Sequence, residues 1–361
     1  MKRFSAQILI PVLVLLATGC QRVERPESSA GVEQASPVSW KGKNHYVFSA
    51  ARANFPRIAT WLFNELYNEF PHRELTAEIL FTGSGYKTEV WNVGEGVAQF
   101  CVTTPAATAT MGYKGVGLFS KAYPNLRGLF KIPQRDPMTL AVKAALGITS
   151  FDEVVQKKIP LRMATGYQDG DDGTGFLFAA FLKAYGTSVE EFESWGGQVV
   201  GASTAGPALA RLIAGEADSI FHEAAVVASP RWKELNEKMP MRVLSIREDV
   251  INQLAQYGYR KFAEVLPKGR YPGVVEDVVT IDYSDWIILA DASVPENIAY
   301  LMAKIAAERK SSFENQYPNL LPADTQELGQ TATDPKTMWK DLGVPLHPGA
   351  EKYYREKGLM P

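Results

Sequence analysis

The stretch Leu161–Gly186, LRMATGYQDGDDGTGFLFAAFLKAYG, decides the fold: a short apolar strand, a loop rich in glycine and aspartate, and a helix. Phe178, Phe181, Leu182 and Tyr185 recur at the spacing of one helix face. Such a unit points the backbone amides of a helix start at a ligand, although ordinary βα turns look alike. The glycine spacing does not fit the dinucleotide fingerprint, and there is no P-loop motif.

Two more units of this kind precede it. The strand His45–Ser49 runs into a turn that ends at Asn54, and the strand Thr76–Phe81 runs into the turn Thr82–Lys87. A third strand, Ala98–Val102, ends at a polar pair, Thr103 and Thr104. Strands that alternate with helices favour parallel strands with helices on both faces, and ligands of such sheets bind beyond the carboxyl ends of the strands.

Two segments are suited to cross between lobes, Met138–Val142 and Thr280–Leu289. We therefore predict an α/β fold of two Rossmann-like lobes with mixed sheets and a ligand cleft between them. Residues 41–137 and 280–361 form the first lobe, and residues 138–279 the second. Helices are expected at 206–214, capped by Thr204, and at 295–306, whereas 314–336 is polar and irregular.

The chain begins like an exported protein. Lys2 and Arg3 precede a short apolar run, and small residues lead to Cys20, which resembles a bacterial lipoprotein box. The resemblance implies cleavage before Cys20 and lipid on its sulfur; plain cleavage near Ala17, giving a secreted soluble protein, is the alternative. Residues 21–40 are polar and predict a flexible tether. The folded part is expected in the periplasm or at the cell surface.

Composition narrows the function classes. A net charge of −2 over 361 residues argues against nucleic acid as a partner. No catalytic motif of the hydrolase, zinc-protease or dithiol kind is present, so we predict a non-enzyme without a cofactor. Cys101, in an apolar strand, is expected to be a buried, inert thiol. Asp169 and Asp171 suggest calcium, but the loop lacks the ligands of an EF-hand, and no metal site is predicted. The histidines are expected to be structural, with a functional role as the alternative for His222.

Near the end of the second lobe and at the carboxyl terminus, the sequence resembles TAXI-type solute-binding proteins. The matching segments are Tyr271–Gly273 with Glu276–Val278 and Thr280, Gly215–Asp218, and Val344–Ala350 with Tyr353–Gly358. The resemblance implies a type II periplasmic-binding-protein fold. It also implies delivery of a small organic solute to the membrane permease subunits of a tripartite ATP-independent (TRAP) transporter. A lipid-anchored receptor that feeds a membrane sensor kinase is the alternative.

Candidate ligand-binding residues come from both lobes. Ser84, Thr103, Thr104, Gly173 and Thr174 match the turns of the family. Arg52 and Lys87 are cations in the turns of the first lobe, and Glu223 lies at the carboxyl end of a strand. The chain departs from the family where Lys87 stands for an asparagine and Asp172 for a serine. Arg52 and Lys87 suit a carboxylate, and the acidic turn Asp169–Asp172 either faces solvent or meets a cationic end. The predicted solute is a small carboxylate or an amino-acid-like zwitterion, bound by a monomer.

Overall fold

Strands and helices alternate in the computed structural model, which describes residues 44–51, 55–69, 75–83, 86–227, 230–314 and 333–361. The first elements are β1 (His45–Ala50), α1 (Phe55–Tyr67), β2 (Thr76–Phe81), α2 (Lys87–Gly94), β3 (Phe100–Thr103), α3 (Ala106–Lys114) and β4 (Leu126–Ile132). The middle elements are β5 (Met138–Lys143), α4 (Phe151–Gln156), β6 (Arg162–Thr165), α5 (Gly173–Ala184), α6 (Val189–Ser194), β7 (Gln198–Gly201), α7 (Ala205–Ile213), β8 (Ser219–Glu223), α8 (Pro230–Lys238), β9 (Met241–Val243) and α9 (Glu248–Leu254). The last are β10 (Trp286–Asp291), α10 (Glu296–Glu308), α11 (Lys310–Glu314) and α12 (Pro348–Glu356).

The strands form two five-stranded sheets with the same plan. Their orders are β2-β1-β3-β10-β4 and β7-β6-β8-β5-β9. In each sheet the fourth strand is antiparallel to its neighbours, while β1 runs parallel to β2 and β3, and β6 runs parallel to β7 and β8. We call the elements around these sheets the first and the second lobe. The predicted fold class, two α/β lobes with mixed sheets, is confirmed.

The antiparallel strands are the ones that cross between the lobes. β5 leaves the first lobe and enters the second sheet, and β10 returns to the first sheet. The two crossovers lie side by side, with Pro137 bridged to Asp282 and the Tyr283 amide donating to the Asp136 carbonyl at 3.0 Å. Both lobes belong to one compact unit. The floor between them is therefore built from two chain segments.

The predicted helix faces are the buried ones. Phe178 and Phe181 of α5 are fully buried, and Phe181 packs on Phe221 of β8 with ring centroids 4.6 Å apart. In α1 the buried residues include Ile58 and Leu62, which lie four positions apart on one face of the helix. Apolar area removed from water contributes roughly 25 cal/mol per Å², so these faces fix the helices on their sheets.

Several boundaries differ from the prediction. The second crossing strand is β10, since residues 280–285 form only isolated bridges along the crossover. Thr204 is the N-cap residue of α7, but its side chain makes no capping hydrogen bond. Cys101 is buried and free as expected, and burial raises the pKa of its thiol well above the usual range. No helix in the described part of the chain is long and apolar enough to cross a membrane.

Candidate functional site

The strands β3, β6 and β8 end in polar residues, and the last residue of β8 pairs with the start of β5, Glu223 with Met138. β3 ends at Thr103, β6 at Thr165 and β8 at Glu223. The crossovers supply Asp136 and Tyr283, which are both buried. The strand ends and the crossovers thus bring polar groups of both lobes to one place. Open α/β sheets bind their ligands beyond the carboxyl ends of such strands.

The glycine loop of the second lobe is tightly folded around its own aspartates. Asp172 caps α5, accepting hydrogen bonds from the amides of Thr174 and Gly175 at 2.9 Å each. Asp169 accepts from the amides of Asp171 and Asp172 at 2.9 and 3.0 Å. Two of the three turn carboxylates are therefore used by the turn itself.

The turn before α2 in the first lobe reaches across to this loop. Tyr86 has a left-handed backbone, with φ of 60°, and forms an antiparallel bridge with Asp172. Lys87 Nζ donates to the Gly170 carbonyl at 2.9 Å and to Asp171 Oδ1 at 2.7 Å. The lobes therefore touch through backbone and side chains, and Lys87 is paired with the opposite lobe.

A hydroxyl and carboxylate network lies behind this contact. Thr174 Oγ1 is 3.4 Å from Glu223 Oε2 and 3.4 Å from the Tyr283 hydroxyl. Glu223 also contacts Nδ1 of the fully buried His222, whose Nε2 is 3.3 Å from the Ala202 carbonyl. Burial lowers the pKa of His222, but the Glu223 charge and hydrogen bond outweigh it, and the net pKa is raised. His222 thus holds Glu223 in place.

Asp136 is the buried carboxylate of the first crossover. Burial raises its pKa well above the usual range, and the charges of Glu223, Asp285 and Asp282 raise it further. Two antiparallel contacts bring Asp136 and Glu223 to the same end of the second sheet: Met138 pairs with Glu223, and the Ala224 amide donates to the Pro137 carbonyl at 3.0 Å.

The hydroxyl of Tyr86 has a raised pKa, in part because of the carboxyl groups around it. Burial raises the pKa of its hydroxyl well above the usual value, and the charges of Glu223, Asp136, Asp172 and Glu89 raise it further. Four carboxylates therefore lie near one phenol. The Tyr86 hydroxyl therefore keeps its proton and can donate a hydrogen bond.

Tyrosine and other aromatic rings surround the acidic groups. Tyr86 packs on Phe55, which contacts Trp286, with ring centroids 5.5 and 5.7 Å apart. Tyr259 stacks on Tyr283, with centroids 6.4 Å apart and planes inclined by 26°. The Tyr259 hydroxyl is buried and has no hydrogen-bond partner among the described residues.

The predicted ligand residues divide into three groups. Arg52 and Ser84, like the lipidation residue Cys20, lie outside the described residues. The structure brings Thr174 and Glu223 together, with Gly173 at the start of α5. The remaining three are engaged by the protein: Thr103 Oγ1 donates to the Tyr86 carbonyl, Thr104 Oγ1 donates to the Tyr283 carbonyl, and Lys87 pairs with Asp171.

The sequence analysis missed Tyr86, Asp136, Tyr259 and Tyr283. Tyr283 lies in Thr280–Leu289, one of the two segments predicted to cross between lobes, whereas Asp136 stands two residues before the other, Met138–Val142. A polar residue in or beside such a segment is a candidate for the cleft floor, and this signal would have found both. Nothing in the sequence pattern singles out Tyr86 or Tyr259.

Metal binding finds no support in the described part of the chain. There, no three His, Cys, Asp or Glu side chains converge as ligands of an ion. The aspartate turn that suggested calcium uses its carboxylates on its own amides and on Lys87.

The sequence matches the model of the NMT1-like family over residues 77–358. No curated protein matches it. Similar solved structures include PhnD1 from Prochlorococcus marinus in complex with methylphosphonate, with 12% identity, 88% of this chain and 99% of that chain covered, and a TM-score of 0.49. A TctC solute-binding protein from Polaromonas has 15% identity, 88% and 98% coverage and a TM-score of 0.47. Rpa4515 of R. palustris with adipate has 13% identity, 87% and 96% coverage and a TM-score of 0.45. At these scores the likenesses carry no functional assignment.

Proposed function

The chain belongs to the NMT1-like family, and we propose that it is an extracytoplasmic solute-binding protein that captures a small organic solute between its lobes. One observation carries the proposal: polar groups of both lobes and both crossovers meet between the two sheets. Thr174 Oγ1 of the second lobe lies 3.4 Å from the hydroxyl of Tyr283 in the crossover, and Lys87 reaches from the first lobe to Asp171. Clefts of this kind are common ligand sites.

Binding by lobe closure is the mechanism we propose. Two adjacent crossovers act as a hinge, so the first and second lobes rotate as bodies while each sheet stays intact. A solute shifts the open–closed balance only by its higher affinity for the closed form. Contacts from both lobes, such as those of Lys87 and Thr174, supply that difference.

The proposed solute is a small carboxylate or an amino-acid-like compound. Arg52 and Lys87 motivate the carboxylate, as a guanidinium or an ammonium pairs well with it. Ser84, Thr103, Thr104, Gly173, Thr174 and Glu223 are the other proposed contacts. In the structure Lys87 is paired with Asp171, so a carboxylate that uses Lys87 must compete with that contact.

Delivery to a TAXI-type TRAP permease is the proposed role in transport. It rests on the resemblance of the terminal and second-lobe segments and on the export signal ending at Cys20. Lipid on Cys20 would hold the protein at a membrane near its permease. Cys20→Ser should release the protein from the membrane fraction; retention in that fraction would argue against this anchor.

Native mass spectrometry of the mature chain, purified without refolding, tests the binding function. We expect a copurified small organic solute that is lost on unfolding. Failure of the protein to bind any acid or amino acid in a thermal-shift screen would contradict the proposal. Uptake of the identified solute should fall in cells that lack the gene; unchanged uptake with altered gene expression would favour a sensor.

A further inference from the structure

We propose that Arg260, through its ion pairs with Asp282 and Asp341, links the lobes behind the hinge and favours the arrangement in which they touch across the cleft. We call these three residues the Arg260 network. The inference rests on the proposed lobe closure and goes beyond it, because it assigns a control of closure to residues outside the solute cleft.

The second crossover has two faces. On one face, the Tyr283 hydroxyl lies 3.4 Å from Thr174 Oγ1. On the other, Asp282 and Ser284 line a cavity of about 270 Å³. Successive side chains of an extended segment point to opposite sides, so the cavity lies behind the crossover as seen from the cleft. One stretch of backbone therefore connects the cavity with the polar groups of the cleft.

The walls of this cavity come from both lobes. Residues 333–347, which we call the carboxyl-terminal segment, belong to the first lobe: the Gly128 amide of β4 donates to the Pro345 carbonyl at 2.9 Å, and Thr110 Oγ1 of α3 donates to the Gly343 carbonyl at 3.0 Å. The second lobe contributes Gly258, where a Cβ would lie 2.8 Å from the Cβ of Thr110. The lobes thus meet behind the crossover as well as across the cleft.

Arg260 joins three segments of the chain at this cavity. Its backbone lies along the second crossover, because the Asp282 amide donates to the Arg260 carbonyl at 2.8 Å. Its Nε donates to Asp282 Oδ2 at 2.8 Å, and its Nη1 lies 3.4 Å from Asp341 Oδ2 in the carboxyl-terminal segment. A residue of the second lobe is therefore paired both with the hinge and with the first lobe.

The two ion pairs of Arg260 differ in burial. The Asp282 side chain is only 9% exposed, so it needs a cation beside it and keeps the guanidinium in place. The Asp341 side chain is 60% exposed and its contact with Arg260 is longer. An exposed pair of this kind is weak, and its loss shifts a two-state ratio by at most about fivefold. Such a contact can adjust the balance between open and closed lobes without locking it.

Asp341→Asn tests the network with little risk to the fold. The φ of Asp341 is 58°, in the left-handed region that asparagine tolerates as well as aspartate, so the substitution removes the charge without straining the backbone. In the ligand-free mature chain at low salt, we expect the open-to-closed ratio to rise by up to about fivefold, which small-angle scattering measures as a larger radius of gyration.

Arg260→Met should open the protein at least as much, and Asp341→Asn should add nothing in that background, because the two residues act through one contact. Arg162→Met is the matched control. It breaks a half-exposed pair with Asp218 inside the second lobe and should scatter like the wild type. Urea unfolding of each variant shows that it is folded.

Wild-type scattering from both Asp341→Asn and Arg260→Met, or equal opening by Arg162→Met, overturns the proposed role of the network. Addition of glutamate, or of whichever acid binds in the thermal-shift screen, separates this result from a failure of lobe closure. If the acid compacts the wild type while the substitutions have no effect, closure stands and the network is wrong. If neither the acid nor the substitutions change the scattering, closure fails, and the inference fails with it.

Discussion

Glu89 is a buried carboxylic acid in the first turn of α2. Its side chain accepts a hydrogen bond from Thr82, and Oε2 has no partner among the described residues. Burial raises its pKa from 4.5 to about 7, against a backbone hydrogen bond that lowers it. Between pH of about 4.5 and about 7, folding therefore takes up a proton. The free energy of unfolding falls as the pH rises through this range.

Glu89→Gln should remove this loss of stability at higher pH. At 1.36 kcal/mol per pKa unit, we expect the variant to unfold at a free energy up to about 3 kcal/mol higher than the wild type at alkaline pH, and nearly equal to it in mild acid. Urea unfolding across that range measures the difference. Glu95→Gln is the opposite control, since Lys121 and Tyr123 lower the pKa of Glu95. A wild type and Glu89→Gln pair with parallel pH curves would contradict the prediction.

Asp136 should be a stability cost in the ligand-free protein. Burial raises its pKa, against a hydrogen bond with Gln134 that lowers it, so the free protein loses stability as pH rises toward the folded-state pKa. Asp136→Asn should therefore unfold at a free energy about 1–3 kcal/mol higher at neutral pH, the range that burial of a polar group costs. Thermal unfolding without ligand measures this. Equal or lower stability would mean that Asp136 is already well paired.

Single residues were the hardest level to predict. Thr174 was named from a turn that matches the family and Glu223 from the end of a strand, and the structure brings them within 3.4 Å. Asp136, Tyr259 and the left-handed Tyr86 lack a local pattern, because their environment comes from chain segments far apart in sequence. Their role depends on which charges surround them, and only the packed lobes determine that.

Glycines of the helix starts give a prediction at the level of elements. A Cβ on Gly175 in α5 would lie 1.9 Å from the Tyr167 carbonyl oxygen, whereas one on Gly206 in α7 would meet nothing within 4 Å. Gly175→Ala should therefore destabilise the protein by about 1–3 kcal/mol and loosen the loop. Gly206→Ala should be neutral or stabilise it by up to about 1 kcal/mol, because alanine favours a helix. Denaturant unfolding of both variants checks this, and equal effects would refute it.

Helices were predicted well where a local sequence pattern determines them. The buried faces of α1 and α5 follow from apolar spacing, and Asp172 caps α5 as a helix-start aspartate should. The motifs behind the family resemblance are also structural: His347 caps α12, and a Cβ on Gly349 would lie 2.0 Å from the Glu296 carbonyl oxygen. Such motifs identify a fold. They do not identify the ligand, because their residues cap and pack helices.

At the scale of the molecule, the alternation of strands and helices in the sequence predicted two lobes but not the contacts between them. The sheet order depends on β5 and β10 crossing between lobes, which apolar segments at those places suggested. Contacts across the cleft, such as Tyr86 with Asp172, join residues more than eighty positions apart. No periodicity encodes such a pairing, since it depends on the relative placement of the lobes.

Lys87 is best explained as a contact between lobes. A cation at the first position of α2 is unfavourable for the helix dipole, yet its ammonium reaches Gly170 and Asp171 of the second lobe. About a quarter of the Lys87 side chain is exposed, and Asp171 is 64% exposed. Pairs this exposed contribute about 0–1 kcal/mol, so the contact shifts the open–closed ratio by at most about fivefold.

Lys87→Met should therefore open the ligand-free protein modestly. We expect a larger radius of gyration by small-angle scattering at low salt, and the wild type should approach the variant in about 1 M salt, where charges are screened within about 3 Å. Lys157→Met, which breaks an ion pair with Glu153 inside one lobe, is the matched control and should scatter like the wild type. If Lys87→Met and wild type scatter identically at low salt, the pair does not hold the lobes together. The lobes would then be held by the apolar cluster that joins α2 and α3 to α5 and α9, and salt should leave their arrangement unchanged.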